Sequence, residues 1–374
     1  MNNAAVSIPS CSYPLKLEPI FQERVWGRED LDFLYPSRAD RPRLVGEVWL
    51  TGDQNRVANG IYTGKTLAEV AKATGASAAP RDAGHSQKHS GAAFPLLVKF
   101  LFTSQKLSVQ VHPQDAYARR HEQSSGKTEM WHVLRAEPEA SIAIGFRQEL
   151  VSELSQDKNA LRSAVESGKI EQMLHWISVK AGDTFFVPAG TVHAIGPGLV
   201  ICEIQQNSDI TYRLYDYHRP GTDGKPRLLH VDKALDVLAW QQRGGRTTPL
   251  ELHENPYLRS LLAACPYFVT ERVVIEKPFP YKASTNGEIW VGLEGELEFE
   301  TGNDSVSCVK GEVIVIPAGL ESMAIRPKGQ SVFLRTYPPR QGSHLREEFQ
   351  GMGWSEKELS RVCFPMVEAS EGSK

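Results

Sequence analysis

The chain has 374 residues, 41% hydrophobic and 23% charged, with a formal net charge of −3. That is enough for two domains and is ordinary for a globular protein. It excludes a field able to hold nucleic acid or an anionic membrane, so an anionic substrate needs a local basic pocket. No run of about 18 apolar residues marks a membrane helix, and MNNAAVSIPS lacks the basic start and apolar core of a secretory signal. Cys11, Cys202, Cys265, Cys308 and Cys363 are odd in number and scattered, with no C-x-x-C, as expected of reduced thiols in a cytoplasmic protein.

Residues up to about Ser12 read as a loose tail. From Leu15 to Gly60, short alternating apolar runs broken by Gly, Asp and Asn predict strands. Trp26 and Trp49 are expected in the core. Thr66 and Glu69 have the spacing of a capping box and open a short helix over Thr66 to Val70. Gly64-Lys65-Thr66 and Gly126-Lys127-Thr128 resemble the end of a phosphate loop, but Asn59 and His121 stand where its first glycine belongs. Ala73 to Gly91 reads as a loop. FPLLVKFLF, from Phe94, is a buried strand whose Lys99 either snorkels to the surface or faces a polar cavity.

The stretch from Lys106 to Trp131 carries the strongest chemical signal. Lys106, Ser108, Gln110 and His112 share one face of a predicted strand, and Leu107, Val109 and Val111 share the other. Pro113 ends the pairing, because it has no N–H to give. Two side chains on one strand face can reach one ion. Gln110 and His112, completed by Glu129 from GKTEMW and His193 from VPAGTVHAI, make a nitrogen and oxygen donor set suited to zinc or, less selectively, another divalent ion. Residues 114–128 are polar and make a loop or short helix.

Glu149 to Trp176 has helical periodicity, with Gly168 separating two helices. Next, Gly182-Asp183 is a hairpin-type turn between strands. In EIQQNSDITYRLYDY, Glu203, Gln205 and Asn207 share one face, and Arg213 and Tyr215 share another. PGTDGKPR is a turn-rich loop, and HVDKALDVLAW an amphipathic helix. From about Pro266 the pattern is again all-β. There KGEVIVIPAGLESMAI repeats KAGDTFFVPAGTVHAI: Gly182, Pro188 and Gly190 recur as Gly311, Pro317 and Gly319, always 129 residues on. His193 becomes Ser322, so the second copy keeps the scaffold and loses the candidate ligand. LREEFQGMGWSEKELSRVCF reads as a short helix or irregular tail packing back.

A strand ending in a histidine, a later carboxylate and G-D-x4-P-x-G-x2-H together resemble the cupin barrel. Gln110 replaces the usual histidine of that form. With RVWG, GEVWL, PLLVKFL, QVHP, GKTEMW, EIQQNSDITYRLYDY and GTDGKPRLLHVDKAL in order, the chain resembles the type I phosphomannose isomerases. The resemblance implies a mainly β fold with helical insertions: two cupin-type jelly-roll barrels related by the repeat, plus a helical segment. The expected domains are a tail (1–13), a catalytic cupin (14–240) with a helical insertion at about 147–176, a linker (241–265) and a second, metal-free cupin with a C-terminal tail (266–374). It also implies a zinc ion on Gln110, His112, Glu129 and His193, with Arg213 as the active-site arginine and Lys127 as a lysine beside the metal carboxylate.

The implied reaction interconverts mannose 6-phosphate and fructose 6-phosphate through a metal-stabilised enediolate. Arg213 and Lys127 could hold the enediolate or the phosphate. Lys127, Glu203, Asp209 and a metal-bound water are each open as the base. Ser108, Lys99, Lys106 and Asp209 are candidate contacts to the sugar phosphate. A metal-dependent cupin oxygenase is disfavoured by the fourth ligand Gln110, and a non-catalytic sugar-binding cupin by the two cations. The expected partner is a small-molecule sugar phosphate, with no nucleic acid and no membrane, and the oligomeric state is left open.

Overall fold

The computed structural model describes residues 11–36, 41–74, 95–240, 244–254, 256–302, 304–318, 320, 322–340 and 344–364. Among these the protein is mainly β, with two seven-stranded sheets, one five-stranded and one four-stranded. They fall into two compact units.

The first unit comprises Phe21–Val48 and Lys99–Arg246. Its larger sheet runs in the order Gly245–Arg246, Thr184–Val187, Glu129–Ala136, Leu199–Gln206, Leu96–Thr103, Val45–Trp49 and Ile20–Arg28. The smaller runs Tyr212–Tyr215, Val109–Val111, His193–Ile195, Ser141–Phe146 and Leu174–Ser178. Trp26, Leu101, Trp131, Val133, Ile142, Phe185, Ile195 and Ile201, drawn from both sheets, form one buried core. On the outer face of the smaller sheet, Val109, Val111, Ala143, Ala194 and Leu214 pack against Leu154, Leu161, Val165, Ile170, Ala234 and Leu235. Those partners come from the helices Gln148–Gln156, Lys158–Glu166, Ile170–Met173 and Val231–Val237. The expected pair of helices is thus three: Asp157 caps the second by accepting from Asn159 N and Ala160 N. Gly168, at φ +72°, separates the second and third, and Trp176 lies in a strand instead of a helix.

The second unit comprises the chain up to Ile20, Trp49–Val98 and Thr247 onward. Its larger sheet runs Leu15–Lys16, Val313–Ile316, Glu288–Glu294, Ser331–Tyr337, Val269–Ile275, Tyr257–Ala264 and Leu250–Glu254. Two expectations are corrected here. Leu15 pairs with Val315 and Lys16 with Ile314, so the N-terminal strand belongs with the C-terminal barrel. Tyr13 is also buried, its hydroxyl accepting from Tyr62 N at 3.0 Å, so no loose tail runs as far as residue 13; residues 1–10 lie outside the described residues. The stretch 241–265, expected as a linker, supplies the two strands Leu250–Glu254 and Tyr257–Ala264, which pair with each other. Thr66 and Glu69 form the expected capping box, with Glu69 N on Thr66 Oγ1 and Thr66 N on Glu69 Oε2. Most of the predicted loop from Ala73 to Gly91 lies outside the described residues.

The repeat holds in space. Thr184–Val187 and Val313–Ile316 lie 129 residues apart and take the same place beside Glu129–Ala136 and Glu288–Glu294 respectively. Those neighbours match in turn, Glu129-Met-Trp131 against Glu288-Ile-Trp290. In the second unit Glu288 is closed by protein alone. Arg335 Nε and Nη2 donate to it at 2.9 and 2.6 Å, the Tyr281 hydroxyl at 2.6 Å and Trp290 Nε1 at 2.8 Å. Removing one partner of a buried ion pair leaves the other charge dry and uncompensated. Glu288→Ala is therefore expected to lower the unfolding free energy by about 3–5 kcal/mol. Chemical denaturation checks this, and a loss below about 1 kcal/mol, the scale of a surface pair, contradicts it.

Candidate metal centre

Three strands of the smaller sheet in the first unit set the site. His193 and Arg213 each pair with Gln110, one from either side, and directly opposed residues of an antiparallel pair share a face. His193, Gln110 and Arg213 therefore form a row. The regular strand runs only from Val109 to Val111. Leu107 joins the inner core while Val109 and Val111 join the outer one. The predicted alternation thus holds only from Val109 onward, and Lys106 leaves the row.

Two tight approaches fix the rest. Gly190 holds φ +89°, and a Cβ there would sit 2.7 Å from the Ala239 Cβ. This closes the turn before His193, and Gly190 N donates to His112 O at 2.7 Å. Gly126 lies so close to Asp115 N, 2.6 Å from an added Cβ, that only glycine fits there. Lys127 N then donates to Pro113 O at 3.0 Å, which brings Lys127 and Glu129 beside His112.

The outcome is a buried cluster. Glu129 Oε1 lies 3.4 Å from His193 Nε2, and Oε2 lies 3.5 Å from His112 Nε2. Donor atoms of His112, Glu129 and His193 all fall within 4.8 Å of one another. Gln110 Nε2 is 3.2 Å from His193 Nε2, and Gln110 Oε1 accepts from Ser108 Oγ at 3.1 Å. His112 Nδ1 is 2.7 Å from Ile210 O and His193 Nδ1 is 2.9 Å from Thr191 O. A carbonyl only accepts, so both protons sit on Nδ1 and both Nε2 lone pairs face the cluster.

The electrostatics agree. Burial, reinforced by Lys127, holds His112 well below its ordinary value, and burial brings His193 down to about 4. Both rings are therefore neutral near pH 7. Burial lifts the Glu129 carboxyl to about 7 against the opposing pull of Lys127. Glu129 Oε1 has no hydrogen-bond partner. Lys127 Nζ already sits among the donors, 2.7 Å from Glu129 Oε2 and 3.0 Å from His112 Nε2. Two unprotonated imidazole nitrogens, an orphaned carboxylate oxygen and a neighbouring amide fit a divalent cation, and the rings' Nδ1 carbonyl bonds are the orienting contacts such ligands need.

The other expected residues divide. Glu203 is buried, its Oε1 accepting from Trp131 Nε1 at 2.9 Å and its Oε2 2.8 Å from Lys99 Nζ. Lys99 also lies 3.7 Å from Glu47, which Arg24 clasps at 3.1 Å. The lysine therefore faces the polar interior and does not snorkel. Burial works against its ammonium, yet Glu203 and Glu47 together raise it well above the ordinary lysine range. Arg213 is half-buried, with Nη1 on Leu228 O at 2.9 Å and Nε unpartnered. Lys106 instead pairs with Glu171 of the helical segment, and Asp209 is exposed but its charge acts on Lys99. Glu47 and Arg24 went unflagged in GEVWL and RVWG. The available signal was a carboxylate inside an otherwise apolar, fully paired run.

The family model for the phosphomannose isomerase type I catalytic domain matches residues 15–151. The chain is 35% identical over 318 residues to mannose-6-phosphate isomerase ManA of Bacillus subtilis, covering 82% of this chain and 94% of that protein. Mannose-6-phosphate isomerase of Streptococcus mutans is 33% identical over 317 residues, covering 83% and 94%. The crystal structure of mannose 6-phosphate isomerase from Bacillus subtilis superposes with a TM-score of 0.74 at 28% identity, covering 87% of this chain and 99% of that one. Phosphomannose isomerase of Salmonella typhimurium shares the fold, with a TM-score of 0.62 at 17% identity over 87% and 99% of the two chains.

Protons compete with a metal for these donors. Above about pH 7 Glu129 is ionised and metal affinity is full; below it, affinity falls about tenfold per pH unit, and more steeply below about pH 4, where His193 also protonates. A chelator competition with zinc is expected to show about a 100-fold weaker apparent Kd at about pH 5 than at about pH 7. A pH-independent Kd over that range contradicts the cluster as the ligand set.

Proposed function

The chain belongs to the type I phosphomannose isomerases, and from that premise we propose that it interconverts mannose 6-phosphate and fructose 6-phosphate. Gln110, His112, Glu129 and His193 hold the divalent ion, with zinc the first choice for a neutral-imidazole and carboxylate set. One observation carries the reading: two imidazoles held as Nδ1–H tautomers turn unprotonated Nε2 atoms onto a buried carboxylate, one oxygen of which lacks a partner.

The reaction moves a proton between adjacent carbons of an open-chain sugar, and the enediolate formed on the way carries negative oxygens that need stabilising. When bound, the divalent ion supplies Lewis-acid stabilisation of that charge. The protein adds Arg213, placed opposite Gln110, and Lys127, inside the cluster. Lys127 is buried, where a charge acts more strongly than in water, and Arg213 is half-buried in the row with Gln110. Among the groups open as base, Asp209 is exposed and Lys127 is donating to Glu129. Glu203 is the remaining carboxylate. Burial raises it, Lys99 and Lys127 more than offset this, and it stays ionised at neutral pH. Trp131 and Lys99 hold it in one orientation, which suits it to take the proton from one carbon and return it to the next.

The metal-loaded protein is expected to convert mannose 6-phosphate in an assay coupled to fructose 6-phosphate. Chelation, or His112→Ala with His193→Ala, is expected to abolish turnover, and added zinc is expected to restore only the chelated protein. Arg213→Ala is expected to lower kcat by about 10²–10³-fold, the scale of one lost stabilising donor. No conversion by the metal-loaded protein, or full turnover by the stripped one, overturns the assignment.

A further inference from the structure

A cavity of about 410 Å³ lies in the first unit, and none of Gln110, His112, Glu129 and His193 lines it. Its walls come from the end of the strand Ser141–Phe146, the helix Gln148–Gln156, the turn through Gly190, Thr191 and Val192, and the residues that follow the helix Val231–Val237. The volume is in the range of small-molecule sites and far exceeds what one water needs.

The lining says what chemistry would fill it. Phe146 and Trp240 both line the cavity and are only half-buried, and their rings stack with centroids 5.4 Å apart at 19°. Such a stack accepts a further flat ring in offset contact. Beside Phe146, Gly145 holds φ +75°, and a Cβ added there would meet nothing within 4 Å, so the wall stays open at that point. Thr191 is only 5% exposed, yet its Oγ1 has no hydrogen-bond partner. Its backbone is fully used: the N–H donates to Pro188 O at 3.1 Å, and the carbonyl is 2.9 Å from His193 Nδ1. A buried hydroxyl left unmatched is costly, and here it is the group still free. Among the described residues lining the cavity there is no carboxylate, ammonium or guanidinium; the other polar side chains are Gln148 and His175, both exposed. An anion such as a phosphate therefore finds no counter-charge. A free hexose brings more hydroxyls than three polar side chains can answer.

We propose that this cavity is a second binding site, for a neutral, flat nitrogen heterocycle: the ring lies on the Phe146–Trp240 stack and its N–H donates to Thr191 Oγ1. Thr191 then serves two sites, its carbonyl orienting His193 and its hydroxyl holding the heterocycle. The proposal goes beyond the isomerase reading and does not depend on it.

The test uses the full-length, zinc-loaded protein with indole as the probe, read by calorimetry. Indole is expected to bind with a Kd below about 1 mM, within reach of so small a ligand in a largely apolar cavity, and saturating mannose 6-phosphate is expected to leave that Kd unchanged. The N-methylated ring has lost the donor and is expected to bind about fivefold more weakly, the scale of one neutral hydrogen bond. Thr191→Val keeps the side-chain shape and removes the hydroxyl, so it is expected to bring the two probes to equal affinity, a comparison that isolates the contact. Trp240→Ala is expected to weaken indole about tenfold with its zinc Kd unchanged, which shows that the fold persists; if zinc is lost as well, the Thr191→Val comparison decides alone. No indole binding by the wild type at about 1 mM overturns the proposal, and so does a preference for indole over its N-methyl form that survives Thr191→Val. Displacement by mannose 6-phosphate overturns it too, by placing the probe at the metal cluster. Tighter binding of methyl α-mannoside than of indole overturns the ligand class and makes the cavity a sugar site.

Discussion

The site depends on keeping ionised side chains dry and immobile. Across the interior of the larger sheet in the first unit, five neighbouring strands contribute Glu129, Glu203, Lys99, Glu47 and Arg24 in turn. Glu129 is answered by Lys127, Glu203 by Lys99, Lys99 also by Glu47, and Glu47 by Arg24. Exposure rises along the row, from 1% for the Glu129 side chain to 28% for Arg24. A buried ion pair gains little over an apolar pair of similar volume, so stability alone does not account for such a row. What it does provide is position. Each charge is fixed by the next, and the innermost carboxylate is left with one oxygen free for a cation.

The second barrel is the natural control. Glu288 and Trp290 stand where Glu129 and Trp131 stand, on the strand that takes the same place in its sheet. Trp131 pairs with Glu203, and Trp290 with Arg335. Where the first unit puts a second carboxylate, the second puts a guanidinium whose fork fills both oxygens of Glu288. Arg335 is held in turn by Glu271, from the strand equivalent to that of Lys99, at 2.8 Å. The second and third members of the row exchange charge, Glu203 and Lys99 becoming Arg335 and Glu271. A bidentate arginine satisfies a carboxylate as a cation does, and the exposed Ser322 at the position of His193 offers no imidazole there. One scaffold thus yields an open cluster in one copy and a closed one in the other.

Much of the ligand set was legible because each member lies in a short, locally determined element. His112 precedes the proline that ends a strand, Glu129 opens a strand after a forced glycine, and His193 follows the repeated turn. Arg213 and Lys127 were legible only through the family resemblance, since a lone cation in a polar run has no signature of its own. Domain boundaries were not legible. The pairing of Leu15 with Val315 spans most of the chain, and nothing local encodes it. Lys106 was misplaced because alternation was extended past the first paired residue: chain parity holds only where a neighbouring strand enforces it. Asp216, Tyr217, Arg219 and Arg227 were passed over because YDYHRPGTDGKPR has the composition of a solvated turn. Its internal ion pairing appears only once Arg227 folds back on Asp216.

The helical segment follows from the same constraint. A small sheet usually buries its apolar face inward and wets the other. Here Gln110, His193 and Arg213 occupy the inner face of the smaller sheet near its edge, so Val109, Val111, Ala194 and Leu214 must be covered from outside. The helices from Gln148 to Met173, with Val231–Val237, supply that cover. They bury the backs of the very strands that hold the ligands, and buried, close-packed strands transmit little motion. A stretch that bears no ligand of its own therefore serves the chemistry. It lets a barrel carry polar groups on its inside without exposing an apolar sheet to water, and it holds those groups in place.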